Sequence, residues 1–195
     1  SYSIDYDKRN QRWQTSEGYR SKFTQSIPIV SDNYAMLNGY EFTKWIDFEN
    51  DLIAKVNFYG RAKNSLTDGN VRVSERLHLP RNRLKGFVGR AIGPVDGNDY
   101  VGGNFSAAVN FSSTLPMILP SVEAADFKFF IDTANVWGVD YRDNYDDSNK
   151  IRSSTGIAVD WWTPIGPLNF SLAQPITKVS TDKTESFQFN LGTTF

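Results

Sequence analysis

The chain has no cysteine and only one histidine, His78, in 195 residues. A disulfide framework and a thiolate metal centre are therefore excluded. A lone histidine without clustered carboxylates does not build a zinc site. Neither sign of charge is in excess: 21 Lys and Arg stand against 22 Asp and Glu, a formal net charge of -1. That leaves no electrostatic footprint for nucleic acid. No apolar run approaches the ~20 residues of a membrane helix. This rules out helical spans only, because a membrane barrel alternates apolar and polar residues and its average hydropathy looks soluble. The chain opens on Ser1-Tyr2-Ser3-Ile4-Asp5, without the basic and apolar regions of a signal peptide.

Catalytic groupings are also missing. Ser, His and Asp assemble into nothing resembling a triad. Gly86-Phe87-Val88-Gly89 is followed by no Lys-Ser/Thr, so it is not a phosphate loop. Asp143, Asp146 and Asp147 lack the glycine and final Glu of a calcium loop and read as a solvated acidic loop. The expectation is a protein that is not an enzyme and uses no cofactor and no metal.

What is present is alternation. Aromatic residues make up 14% of the chain and are spread along it. Apolar and polar residues alternate over 2–6, 19–29, 52–63, 105–112, 125–137, 151–162, 168–173 and 187–195. Segment 34–45 reads as a strand by its aromatics and flanking turns, with mixed faces. In 52–63, for example, Leu52, Ala54, Val56 and Phe58 oppose Lys55, Asn57, Tyr59, Arg61 and Lys63. The pattern predicts nine strands of ~9–12 residues, the length a tilted strand needs to cross a bilayer.

The connections alternate too. Those around 46–51, 113–121 and 163–167 are short; those around 64–102, 138–149 and 174–186 are long and polar. The turns at 7–18 and 31–33 break this rule in length. Short turns on one side and long loops on the other mark an outer-membrane barrel. A soluble β-sandwich alternates identically along its strands. The polar face carries Arg20, Lys22, Lys55, Arg61, Lys128, Asp132, Arg152 and Asp160, too many charges for a sandwich core. They suit a watery lumen or the outer face of a sandwich.

The longest gap in the strand pattern, 64–102, is not disordered by composition. Leu77, Leu79, Leu84, Phe87, Val88 and Ile92 are too apolar to stay solvated, so something must bury them. A long insertion of this kind is usually functional. At its centre stands Arg83-Leu84-Lys85-Gly86-Phe87. Gly86 suits a position needing positive φ or close approach to a wall.

This motif resembles the Arg-Gly-Phe tip of the long sixth extracellular loop in the BamA family of outer-membrane β-barrel assembly proteins. Further matches follow in the family's order: Ala91-Ile92-Gly93-Pro94, Gly102-Gly103-Asn104, Phe130 to Trp137, Trp162 to Leu168, Ala173-Gln174-Pro175 and Phe187 to Gly192. The resemblance is nearly continuous from about 83 to 195 and looser before that. It implies an all-β fold: an antiparallel transmembrane barrel in the bacterial outer membrane, of which residues 1–195 are the C-terminal part. The nine strands would be the eighth to sixteenth of sixteen. Nine strands leave two open edges, an aggregation hazard, so a fragment is expected, without the first strands and the periplasmic domains.

In the family the loop folds into the lumen, where acidic wall residues hold its Arg. Here Lys85 takes the Arg position and Asn110 stands where Glu is common, while Asp132 keeps the Asp. The two departures look paired, because an Arg fork can bind two carboxylates and a Lys ammonium is a point charge. The expected anchor is Lys85 on Asp132, with Asn110 accepting a hydrogen bond and Asp160 as a second anionic partner. Phe87 and Ile92 would fill apolar gaps.

The function the resemblance implies is folding and insertion of other β-barrel proteins through a lateral seam between the first and last strands. Its partners would be unfolded outer-membrane proteins, accessory lipoproteins and outer-membrane lipid. The last strand suits a seam: Gly192 interrupts it, and glycine weakens pairing and permits a kink. Phe187, Phe189, Leu191 and Phe195 share one face, matching the family's insertion signal. Two alternatives remain, a two-partner-secretion pore of the same superfamily and a passive porin.

Overall fold

The computed structural model describes residues 1–29, 34–48, 52–67, 69–115, 125–142, 148–164 and 166–191. Its strands in chain order are β1 (Tyr2–Asp7), β2 (Gly18–Ser26), β3 (Ala35–Asp47), β4 (Ile53–Ser65), β5 (Val95–Asp96), β6 (Asp99–Tyr100), β7 (Phe105–Thr114), β8 (Ala125–Trp137), β9 (Arg152–Thr163), β10 (Gly166–Thr177) and β11 (Phe187–Leu191). Nine of them form a single sheet in the order β1-β2-β3-β4-β7-β8-β9-β10-β11. Each strand pairs antiparallel with its neighbours in that order. This is an open barrel wall, with β1 and β11 as its edges.

The side-chain period of 2 decides which way each residue faces. Val56, Phe58, Val109, Phe111, Ile131, Ile157, Leu172 and Phe189 point outward and are exposed. Tyr6, Tyr19 and Phe42 form an aromatic ladder across β1, β2 and β3, with ring centroids 5.9 and 6.1 Å apart. Such rings interact across strands at this spacing. The opposite face is polar and largely buried: Asn57, Ser106, Asp132, Arg152, Ser154, Asp160, Asn169 and Gln188. Burying that many polar groups requires a polar partner on the inside.

The 66–104 segment between β4 and β7 is that partner. It was expected to lack strands, yet it contains the β5–β6 hairpin and 3-10 turns at Val73–Glu75 and Arg81–Arg83. Leu79, Leu84, Phe87 and Ile92 pack on Tyr59, Ala108, Ala134 and Val136 of the inner wall as one apolar cluster. β3 has the mixed faces its sequence suggests, but its register is definite. Gly39, Glu41 and Thr43 turn inward while Tyr40, Phe42 and Lys44 turn outward. The turn at 31–33, most of the acidic loop with Asp143, Asp146 and Asp147, and the chain end with Gly192 and Phe195 lie outside the described residues.

Gly156 on the inner face of β9 marks a close approach. A Cβ there would lie 2.0 Å from the Leu172 carbonyl oxygen and 2.9 Å from the Phe130 ring. Overpacking of this kind costs about 1–3 kcal/mol. Gly156→Ala in the complete protein should therefore lower the temperature at which the folded band converts on an unheated gel. An unchanged transition would contradict this packing.

Candidate functional site

The site is built where the loop tip meets three parts of the wall. Leu84 is extended (φ -150°) directly after the Arg81–Arg83 turn, which carries the chain down into the lumen. Gly86 has φ +88°, and a Cβ on it would lie 3.1 Å from the Ala173 Cβ and 3.5 Å from the Ser154 Cβ. A residue without a side chain is needed on both counts.

At the centre stands Asp132 of β8, with no solvent exposure. Its carboxylate accepts from Lys85 Nζ at 2.8 Å, the Lys85 backbone N–H at 3.1 Å and Asn110 Nδ2 at 2.8 Å. The Lys85 ammonium also sits 4.2 Å from the centroid of the buried Phe130 ring. This combines a buried ion pair with a cation–π contact in a water-poor site.

Asn110 plays the opposite hydrogen-bonding part to the one expected from sequence. Its amide donates, to Asp132 and to the Arg83 carbonyl at 2.8 Å. Its Oδ1 is buried and finds no partner. The reason is geometric: both groups facing the amide are acceptors, so its NH₂ must turn toward them. A carboxylate in that place could not donate to either.

Asp160 is ion-paired with Lys128 and hydrogen-bonded by Asn169. Register explains this, because Asn169 lies directly opposite Asp160 on β10.

Arg83 is a functional contact that sequence reasoning named without a partner. Its guanidinium donates to Glu41 of β3 at 2.5 Å and to Asn57 of β4 at 2.6 Å, and lies 4.9 Å from the Tyr59 ring centroid. Glu41 went unremarked because β3 shows no clean alternation. The signal that could have revealed it is the pair Tyr40 and Phe42, which frame it as inward-facing.

The third attachment runs through the 178–186 loop. Val88 N–H donates to the Lys183 carbonyl at 2.9 Å, and Glu185 N–H to the Gly86 carbonyl at 3.1 Å. Gln188 of β11 donates to the Phe87 carbonyl at 3.0 Å. Arg81 pairs with Glu185 at 2.7 Å. The same loop is tied to β9 by Asp182, which pairs at 3.0 Å with Arg152, both side chains fully buried. Phe187, Phe189 and Leu191 meanwhile face outward.

The long-loop end has its own clamp. Asp140 accepts from the Val71 N–H at 2.8 Å and from Asn104 Nδ2 at 2.9 Å, and it pairs with Arg76. Burial works to raise the Asp140 carboxyl. The bonds from Asn104 and Val71, with Arg76, outweigh it and hold the group below the usual range.

An antiparallel wall with outward aromatics and a charged lumen filled by one long inserted loop defines a plugged outer-membrane barrel. Comparison with known proteins narrows this further. The whole chain, residues 1–195, matches the Omp85 superfamily domain, and the protein belongs to that superfamily. It resembles the outer membrane protein assembly factor BamA of Neisseria meningitidis serogroup B, 30% identical over 196 residues, covering 86% of this chain and 21% of that protein. BamA of Neorickettsia risticii is 26% identical over 200 residues, covering 100% of this chain and 27% of that protein. The crystal structure of BamA from Haemophilus ducreyi lacking POTRA domains 1-3 superposes with a TM-score of 0.85 at 26% identity, over 96% of this chain and 40% of that one. The chain thus spans about a quarter of the length of these curated relatives. It is a piece of a barrel of the bacterial outer membrane.

Two outcomes test this site. Removing one partner of a buried ion pair costs about 3–5 kcal/mol. Lys85→Ala should therefore destabilise the loop-bound barrel by an amount of that order. Lys85→Arg and Asn110→Glu should each destabilise alone, with the double variant losing at least about 1 kcal/mol less than their sum; strict additivity in denaturant melts would refute the pairing.

The second test is pH. Asp140's folded pKa is lowered, so its contribution is present above the unfolded value of about 3.9 and is lost as pH falls through the folded one. The stability difference between the protein and Asp140→Asn should be constant from pH 7 to 5 and shrink below about pH 4.

Proposed function

We propose that this chain is the C-terminal part of the barrel of an outer-membrane protein assembly factor of the BamA kind, which folds and inserts β-barrel proteins through a lateral seam. The observation that carries this reading is the tie between the last strand and the inserted loop, where Gln188 of β11 donates to the Phe87 carbonyl. Among the described residues β11 pairs with β10 from Leu168 to Leu172, and the Ala173 N–H donates to the Ser186 carbonyl just beyond. The other side of β11 has no strand partner among the described residues.

An open strand edge is a template for β-augmentation, in which main-chain hydrogen bonds capture an incoming strand. The step needs no cofactor and no covalent chemistry. Its substrates are unfolded outer-membrane β-barrel proteins. Accessory lipoproteins and outer-membrane lipid would be the working partners. Gly192 follows Leu191 in the sequence, and a glycine weakens strand pairing.

The anchored loop favours this reading over a passive porin, whose conduction would be opposed by a plug fixed to the wall at three places. The assembly-factor names of the relatives favour it over a secretion pore.

The test uses the complete protein in proteoliposomes with an unfolded barrel client. A cysteine in β11 and one in the first strand of the complete barrel, oxidised to a disulfide, should cut client insertion at least tenfold, with recovery on reduction. Gly192→Val should slow it in the same assay. Unchanged insertion by both would sink the seam mechanism.

A further inference from the structure

Beneath the loop tip lies a cavity of about 50 Å³, lined from above by Asn82, Arg83 and Lys85 and from the wall by Lys55, Ser112 and Lys128. It lies toward the short-turn ends of the strands, since Lys55 is near the start of β4 and Lys128 near the start of β8. Nothing in the anchor described above uses Lys55, Asn82 or Ser112.

The charges around this cavity do not balance. Arg83 is paired with Glu41, Lys85 with Asp132 and Lys128 with Asp160. Lys55 is a fourth basic group with no direct salt bridge among the described residues; Asp160 lines the same cavity, and the Trp45 ring lies 5.8 Å from the ammonium. Four basic side chains therefore stand against three carboxylates.

The hydrogen-bond inventory gives the same answer independently. Lys55 and Ser112 face each other directly across β4 and β7. With Asn82 from the loop turn they offer three side-chain donors to one small space.

We propose that this cavity is a binding site for one carboxylate group that reaches it from the short-turn side of the lumen. The carboxylate would accept from Lys55 Nζ and Ser112 Oγ, with the Asn82 amide closing the site from above. A monoanion suits the excess of basic groups over carboxylates. The inference rests on the cavity and not on the seam mechanism, so either can fail alone.

The test uses the complete protein in detergent, with ¹⁵N-labelled lysine and acetate as the probe. Lys55→Gln identifies the Lys55 side-chain signal by its loss. Exchanging chloride for acetate at constant ionic strength should move that signal along a saturating curve. Ser112→Ala should weaken the apparent affinity several-fold while leaving the melting temperature in chloride unchanged. Lys55→Arg should preserve an acetate-dependent rise in melting temperature that Lys55→Gln lacks. A signal that moves linearly with acetate, that saturates with inorganic phosphate and not acetate, or that ignores Ser112→Ala would overturn the assignment.

Discussion

A carboxylate with no access to solvent fixes where everything else in the lumen must go. Asp132 sits on the inner wall and cannot stay charged there without a cation and further donors. The loop supplies the cation and a backbone N–H through one residue, Lys85, and the wall supplies an amide through Asn110. Once that triad forms, Leu84 and Phe87 are carried onto the apolar stripe of Tyr59, Ala108, Ala134 and Val136. The long, sticky insertion is buried because one wall charge requires its tip.

The exchange of Arg for Lys at the tip is compensated from two sides. Losing the planar fork removes the ability to span two carboxylates. Asn110 answers by donating to Asp132 and gripping the loop backbone at Arg83. Arg83 itself then reaches the other way, to Glu41 and Asn57. The guanidinium has in effect moved two residues along the loop and one pair of strands around the wall.

Much of this was legible in the sequence, and the limits follow from physics. Strands such as β4, β7 and β10 separate cleanly because one face must tolerate lipid and the other polar groups, which leaves period 2 in the residues. β3 does not, since Asn38 and Lys44 share the outward face with Tyr40 and Phe42, so Glu41 stayed hidden. The Lys85–Asp132 pair was readable because both ends are charged and the register puts Asp132 inward. The donor sense of Asn110 was not, because an amide can act either way until its neighbours are known. The bridge between Gly86–Ala91 and Lys183–Glu185 left no mark in the side chains, being made of backbone groups.

That backbone bridge has a mechanical consequence. β11 is held in the plane of the sheet by five residue pairs with β10, and from inside by Gln188 on the Phe87 carbonyl. Glu185 and Lys183, just before it, are stitched to the same stretch of loop. The edge strand and the plug therefore behave as one body with two handles. Pulling the edge away from the wall draws on the plug, and displacing the plug loosens the edge, so whatever fills the lumen also sets the tension on the rim.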